Sequence, residues 1–399
     1  MSGVIDTSVS NRRSLVFLAV TLLSFLAASS VPTPLYHLYQ ESLHFSPAVL
    51  TLIFAVYALS LLAALLTVGS LSDYLGRRPV IFAALLLNSL SMLLFINEDG
   101  VQWLIAARVM QGFATGMATS VLGAALLDTD RQQGPLVNSI APLLGMACGA
   151  MGASLLVEFA PWPLQLSYWL LLAMFVLQAL YLWRLPESVS PQPGAWASLK
   201  PRLHVPAQAR RALWLALPVN VAVWAVGGFY LSLAPSLVRA AIGSTSNLIG
   251  GALVAVLTLS GALMIFSLRQ RPAGKVLRLG AGLLALGVLL ILGAVHSASL
   301  ALFFVGTLVL GSGFGSGFLG ALRSVMPLAL AHERAGLMSA FYVLSYLAFC
   351  LPSLLAGNLS RNFGLIATTD GYAVVLIILA LGALLVLVRQ RPAVSCEAH

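Results

Sequence analysis

Two short stretches carry most of the usable chemistry in this sequence. The first, Gly69-Ser-Leu-Ser-Asp73-Tyr-Leu-Gly76-Arg77-Arg78-Pro79, sets a small residue, a carboxylate, a turn glycine and two guanidinium groups between long apolar runs. Asp73 can accept charge-assisted hydrogen bonds from Arg77, from Arg131, or from the amides of a helix N-terminus. Gly76 permits a turn at positive φ, and Pro79 is preset for a first helical turn. The second stretch, Arg108-Val-Met-Gln111-Gly112, places a permanent positive charge inside an apolar run. At a membrane helix centre such a charge costs about 2.5 to 3.5 kcal/mol, so it either faces a cavity or partner or snorkels to the nearer surface. Glu158, at similar depth in another run, is its candidate partner, a carboxylate whose proton can come and go, and reads equally as a solvated rim residue. His37 and Glu41, four residues apart, can pair on one helical face and handle a proton. Covalent chemistry has no residues to work with. There is no serine elbow, no His/Cys/carboxylate set with metal spacing and no phosphate-binding Gly-Lys-Ser/Thr loop, so neither catalysis, a cofactor nor ATP-driven pumping is expected.

The elements that must position these groups are membrane helices. Of 399 residues 60% are hydrophobic and 8% charged, too little polar surface for a globule in water. The net charge of +9 would suit nucleic acid, but the basic residues sit in small clusters between apolar runs, as loops on one side of a bilayer do. Cys148, Cys350 and Cys396 have no motif spacing. Arg12-Arg13 precede an apolar run from Ser14 to Val31, longer than a signal-peptide core, and read as an uncleaved first span. Tyr36, His37, Tyr39 and Glu41 then read as interface anchors. Further spans are expected near 48–71, 79–96, 101–127, 134–157, 163–184, 211–237, 247–268, 276–295, 299–322, 335–356 and 371–389, twelve in all. The longest connection is rich in proline and basic residues and divides the chain into a six-helix bundle over 1–185, a linker over 186–210 and a second bundle over 211–399.

Charge asymmetry sets the orientation. With both termini inside, the outer loops hold only Arg239 and Arg361, and Arg108 and Arg323 fall within spans; all the other lysines and arginines are cytoplasmic. A second basic cluster, Arg269-Gln-Arg271-Pro-Ala-Gly274-Lys275, stands where Asp73 to Arg78 stands in the first half, so the halves read as repeats.

Twelve spans, a long middle loop and the Gly69-xxx-Asp73-xx-Gly76-Arg77-Arg78 pattern resemble the major facilitator superfamily. Arg108-xx-Gln111-Gly112 resembles a motif of its fourth helix, and Leu185-Pro186-Glu187-Ser188 resembles the ending of its sixth. The resemblance implies an all-α polytopic fold of two pseudo-symmetric six-helix bundles working by alternating access. It makes Gly69, Asp73, Gly76, Arg77, Arg78 and Arg131 a latch that holds the halves together on the cytoplasmic side. Span five departs from the proton-driven efflux pattern, with alanine in place of proline in Gly145-Met-Ala-Cys-Gly149-Ala150, and its small residues read as a packing face. The glycines of span ten, from Gly311 to Gly320, invite close packing or flexibility.

For substrate, the resemblance implies a midplane cavity between the halves. Arg108, Gln111, Asn220, Trp224, Tyr230, Tyr342 and Tyr346 are the candidate contacts, and Arg108, Glu158 and His37 the candidates for proton coupling. A lone buried Asn220 also reads as an interhelical hydrogen bond. The site so described is apolar and aromatic, which suits a small amphipathic organic compound and, through Arg108, an anion. Three readings stand: proton-coupled efflux of such a compound, proton-linked uptake of an organic anion, and a polytopic receptor or scaffold that moves nothing. Short loops favour a monomer, and compact loops with the resemblance imply a bacterial inner membrane with both termini cytoplasmic.

Overall fold

The computed structural model describes residues 2–97, 100–201, 203–244, 246–330 and 332–389, with side chains from Asn11 onward. Twelve principal helices follow one another: α1 (Ser2–Ser30), α2 (Pro47–Thr67), α3 (Arg77–Ile96), α4 (Val101–Thr129), α5 (Gly134–Phe159), α6 (Leu166–Leu182), α7 (Ala207–Ser232), α8 (Asn247–Leu268), α9 (Ala273–His296), α10 (Leu300–Val325), α11 (Arg334–Phe363) and α12 (Leu365–Arg389). Among the described residues eleven are long and apolar enough to cross a membrane. The twelfth, α6, has 17 residues, about 26 Å at 1.5 Å per residue and at the short end of what spans. It starts three residues later than expected because Pro161 and Pro163 flank Trp162, which sits at φ 54°.

The first helix of each half is broken, which the apolar pattern does not reveal. α1 gives way at Val31 to a second segment, Pro32–Leu43, and α7 gives way at Leu233 to Ala234–Ile242. Proline lacks an amide hydrogen and clashes with the carbonyl four residues back, so Pro32, Pro34 and Pro235 end one helix and begin another. The expected single span over 211–237 is therefore two elements.

Each half has its own core, one running from Leu18 to Leu182 and the other from Ala209 to Ala383. A third cluster, with Phe54, Ala58, Ala150, Leu231, Val254 and Phe349, joins the two halves. Small residues set the helix spacing: a Cβ on Gly145 or Gly149 of α5 would meet the Leu23 or Ala27 carbonyl of α1. In α10, Gly311 and Gly315 lie against α8 while Gly313 and Gly320 lie against α9, so the glycines of this helix serve packing. The two ends of the bundle differ in charge. One, the basic face, carries the 67–77 loop and the linker; the opposite face carries the helix extensions that hold His37 and Arg239.

Candidate substrate site and inter-bundle seal

Arg108 does not snorkel. It is 1% exposed, and its Nη1 donates to the Ser29 carbonyl of α1 at 3.1 Å and to Gln111 Oε1 at 2.6 Å. Gln111 is held in turn by the Ala28 carbonyl, which accepts from its Nε2 at 2.9 Å. Gly112, next in sequence, lets α4 approach α2 so closely that a Cβ would collide with the Tyr57 carbonyl. That approach brings the Tyr57 ring under the guanidinium, 4.2 Å from its carbon, a cation–π contact in a dry setting. The Tyr36 hydroxyl is buried with its oxygen beside the Arg108 guanidinium. The Arg108 Nε–H is also buried without an acceptor.

From Tyr57 the seam continues into the other half. Phe54 of α2 meets Phe349 of α11 with ring centroids 4.8 Å apart; Tyr346 of α11 packs on Trp224 of α7 at 4.8 Å, and Tyr342 stands 6.1 Å from Tyr346. Phe318 and Phe349 meet Trp224 edge-on. Trp224 Nε1 has no hydrogen-bond partner. Asn220 takes the interhelical role, its Nδ2 donating to Ser345 at 2.8 Å while Oδ1 stays unpaired.

Tyr230 stands apart from this group. Its hydroxyl is 2.8 Å from Thr307 Oγ1, and its ring lines an apolar cleft inside the second bundle with Val288, Ile291, Phe303 and Tyr372. It is six residues from Trp224 along α7, about 120° around the helix, so it faces the bundle core where Trp224 faces the seam. Tyr36 and Tyr39, expected as interface anchors, are buried, and Tyr39 donates to the Tyr168 hydroxyl at 3.1 Å.

Glu158 is not the partner of Arg108. It is exposed on the opposite face, where its Oε2 accepts from Asn247 Nδ2 at 3.1 Å. Asn247 Oδ1 accepts from Arg239, and Arg239 also lies 2.8 Å from His37 Nε2. His37 Nδ1 is 3.1 Å from the Pro34 carbonyl. A carbonyl can only accept, so the hydrogen is on Nδ1 and the lone pair on Nε2 faces Arg239. His37 therefore pairs with Arg239 and not with Glu41. Burial holds the Arg239 guanidinium below its usual pKa, with the Glu41 charge opposing. Thr33 adds a bond to the Leu231 carbonyl at 3.0 Å. Among the described residues, every hydrogen bond that joins the two bundles directly is at this face.

The loop on the basic face is tied within the first bundle. Arg77 donates to Ser72, to Asp73 and, through Nε at 2.9 Å, to Asp128 near the end of α4. Arg78 bonds the Trp183 carbonyl and lies over its ring. Glu187 caps α3, its two oxygens taking the amides of Arg77 and Arg78 at 2.8 and 2.9 Å, where the helix dipole favours a carboxylate. Gly76 sits at φ +95°, and a Cβ there would press on this carboxylate. Gly69 accepts from Ser120 of α4 at 2.6 Å. Arg131 is exposed and takes no part, so Asp128 holds the place expected for it, with the opposite charge. The loop does not bridge the bundles in this arrangement.

The family model described as Major Facilitator Superfamily matches residues 17–353. The chain belongs to this superfamily. It is similar to a multidrug resistance protein, MdtL, of Klebsiella pneumoniae, at 26% identity over 41% of this chain and 45% of that protein. It is also similar to human major facilitator superfamily domain-containing protein 10, at 35% identity over 27% of this chain and 24% of that one. The chain thus spans less than half the length of these curated relatives. In structure it resembles the human organic anion transporter MFSD10 (TM-score 0.66, 18% identity) and the nucleoside transporter NupG (TM-score 0.71, 14% identity), each over 94% of this chain and 99% of the other. Those likenesses concern the fold.

For a superfamily member, the seam combines flat aromatic walls with a charged donor between the two bundles. Such a surface can hold a molecule with an apolar body and a polar end. Sequence reasoning missed Tyr57, Tyr36, Asp128 and Arg239. Tyr57 lies in an apolar span without a charge to mark it, whereas Arg239 had a signal, as one of two arginines on a side otherwise without Lys or Arg in its loops.

Proposed function

We propose that this chain is a secondary transporter that moves a small amphipathic organic compound by alternating access, exporting it in exchange for protons across a bacterial inner membrane as a monomer. The basic face, with both termini, is cytoplasmic in this reading, and the opposite face is outer. What carries it is the seam: Arg108 and Tyr57 stand on one bundle, Tyr346 and Trp224 on the other, and Phe54 meets Phe349 between them, so a molecule bound there touches both moving parts. Bonds between bundles at the outer face, and none among the described residues at the basic face, describe a carrier closed outside. The similarity to multidrug resistance proteins supports efflux.

Proton coupling falls to the outer face. Arg108 has no acidic partner, while His37 accepts from Arg239 and Glu158 holds Asn247 in the same network. A proton on His37 removes the acceptor and sets two cations against each other, which releases the seal. The loop of Asp73, Arg77 and Asp128 acts by stiffening the first bundle.

The test is flux in proteoliposomes under an imposed pH gradient, against a panel of amphipathic cations, neutral compounds and organic anions. Counterflow that collapses with the gradient and with His37→Gln is expected. Flux that ignores the gradient makes the carrier facilitative, uptake driven by the gradient reverses the direction, and saturable binding without flux makes the chain a receptor.

A further inference from the structure

We propose that Arg108 receives the carboxylate of an aromatic organic acid when the bundles part, so that the compound carried is an anion; this rests on the transport reading above and names its substrate class. Three observations converge. First, Arg108 is a buried guanidinium without a counter-ion: no Asp or Glu forms an ion pair with it among the described residues. Its acceptors are the neutral Ser29 carbonyl and Gln111 Oε1, with the Tyr36 hydroxyl beside it, and among the described residues its Nε–H has no acceptor. A buried charge without a counter-ion is costly, and an anion entering beside it supplies the missing charge.

Second, the unpaired groups along the seam are mostly donors. Among the described residues the Arg108 Nε–H and the Trp224 Nε1–H lack acceptors, and the Tyr36 hydroxyl, whose oxygen lies beside the guanidinium, keeps its O–H free to donate. Gln111 is fixed in place, its Oε1 accepting from Arg108 and its amide donating to the Ala28 carbonyl, and it carries no charge to balance the guanidinium. A cationic compound would meet the guanidinium with no carboxylate to offset it, and a neutral one would leave the charge uncompensated. A carboxylate matches the planar fork of the guanidinium and accepts from a neighbouring hydroxyl as well.

Third, the walls beyond the charge are aromatic. Tyr57 lies against Arg108, and Phe54, three residues back on α2, meets Phe349, which packs on Trp224 and Tyr346 of the second bundle; such walls suit a flat ring attached to the acid. Asn220 Oδ1, the unpaired acceptor one turn from Trp224, can take a hydroxyl or N–H at the far end of that ring.

The experiment uses the full chain in nanodiscs and three probes with one ring system: 1-naphthylacetate, 1-naphthylacetamide and 1-naphthylmethylamine. Calorimetry near neutral pH is expected to give the acid at least about tenfold tighter binding than the amide, and no measurable binding of the amine. Arg108→Gln should abolish the preference while leaving the amide within about twofold. Tyr36→Phe, a variant that keeps the fold's packing, should weaken the acid alone by about threefold. Equal or tighter binding of amide or amine, or a preference that survives Arg108→Gln, overturns the proposal, as does absence of binding by all three. Counterflow separates the two readings. Amide or amine that is bound and carried leaves the transporter standing without the anion; acid that binds by Arg108 without flux leaves the anion site standing without transport.

Discussion

Arg239 donates to His37 Nε2 at 2.8 Å, joining the two bundles through the proline-initiated extension that ends the first helix of each. Internal repetition thus supplies both halves of one contact. The charged groups facing His37 are Arg239 from the α7 extension, Glu41 from its own segment and, through Asn247, Glu158 from α5. The contact needs a neutral ring, so it holds above the histidine pKa and is lost as the pH falls through it. Spin labels on the exposed Ser42 and Ala240 should move apart on acidification between about pH 8 and 5, the range that brackets histidine titration. His37→Gln should make that distance indifferent to pH. A wild-type distance that does not change with pH ends this account of the seal.

On the basic face, Asp128 should matter where Arg131 does not. Asp128→Asn keeps an oxygen that can accept from Arg77 Nε but removes the negative charge of the ion pair. The pair is partly exposed, so its loss should cost about 1 kcal/mol or less in thermal unfolding. Arg131→Gln should stay within about 0.5 kcal/mol of wild type. Equal losses from both variants would restore Arg131 to the cluster.

Much of this arrangement was legible before any coordinates. Long apolar runs with basic residues between them specify the helices, because a bilayer leaves the backbone no other way to satisfy its hydrogen bonds. Arg108 and Gln111 stand out for the same reason, since polarity inside such a run is expensive. Partners are another matter. Nothing in the spacing of Glu158 separates depth along a helix from azimuth around it, and the two differ enough to put it on Asn247. Breaks at Val31 and Leu233 were masked by continuous hydropathy, though Pro32 and Pro235 mark them. Tyr57 and Tyr36 could not be assigned to a site because an aromatic ring serves lipid, core and ligand alike.

Tyr230 offers a control for the substrate site. Its hydroxyl bonds Thr307 within the second bundle, so Tyr230→Phe should lower stability by about 0.6 kcal/mol, typical of an interhelical bond in a membrane protein. Substrate affinity should be unchanged. Trp224→Phe should do the reverse, raising KM severalfold through loss of the indole N–H and ring area with little change in melting temperature. Binding that weakens in Tyr230→Phe as much as in Trp224→Phe would place Tyr230 back in the cavity.

The seam itself can be wedged open. Gly357 of α11 lies so close to α2 that a Cβ would collide with the Thr51 side chain, and Thr51 is pinned by its bond to the Ala48 carbonyl at 3.0 Å. These two residues belong to different bundles, so a larger side chain at 357 opposes closure without entering either core. Gly357→Val should therefore unfold near the wild-type temperature, yet keep the Ser42–Ala240 distance long at every pH and abolish transport. Gly149→Val is the contrast, because its Cβ would strike the Ala27 carbonyl within one bundle; rigid backbone cannot yield there as a bundle interface can, and the whole fold should lose about 1 to 3 kcal/mol. A Gly357→Val protein that closes and transports like wild type would mean that the α2–α11 contact is not part of the seal.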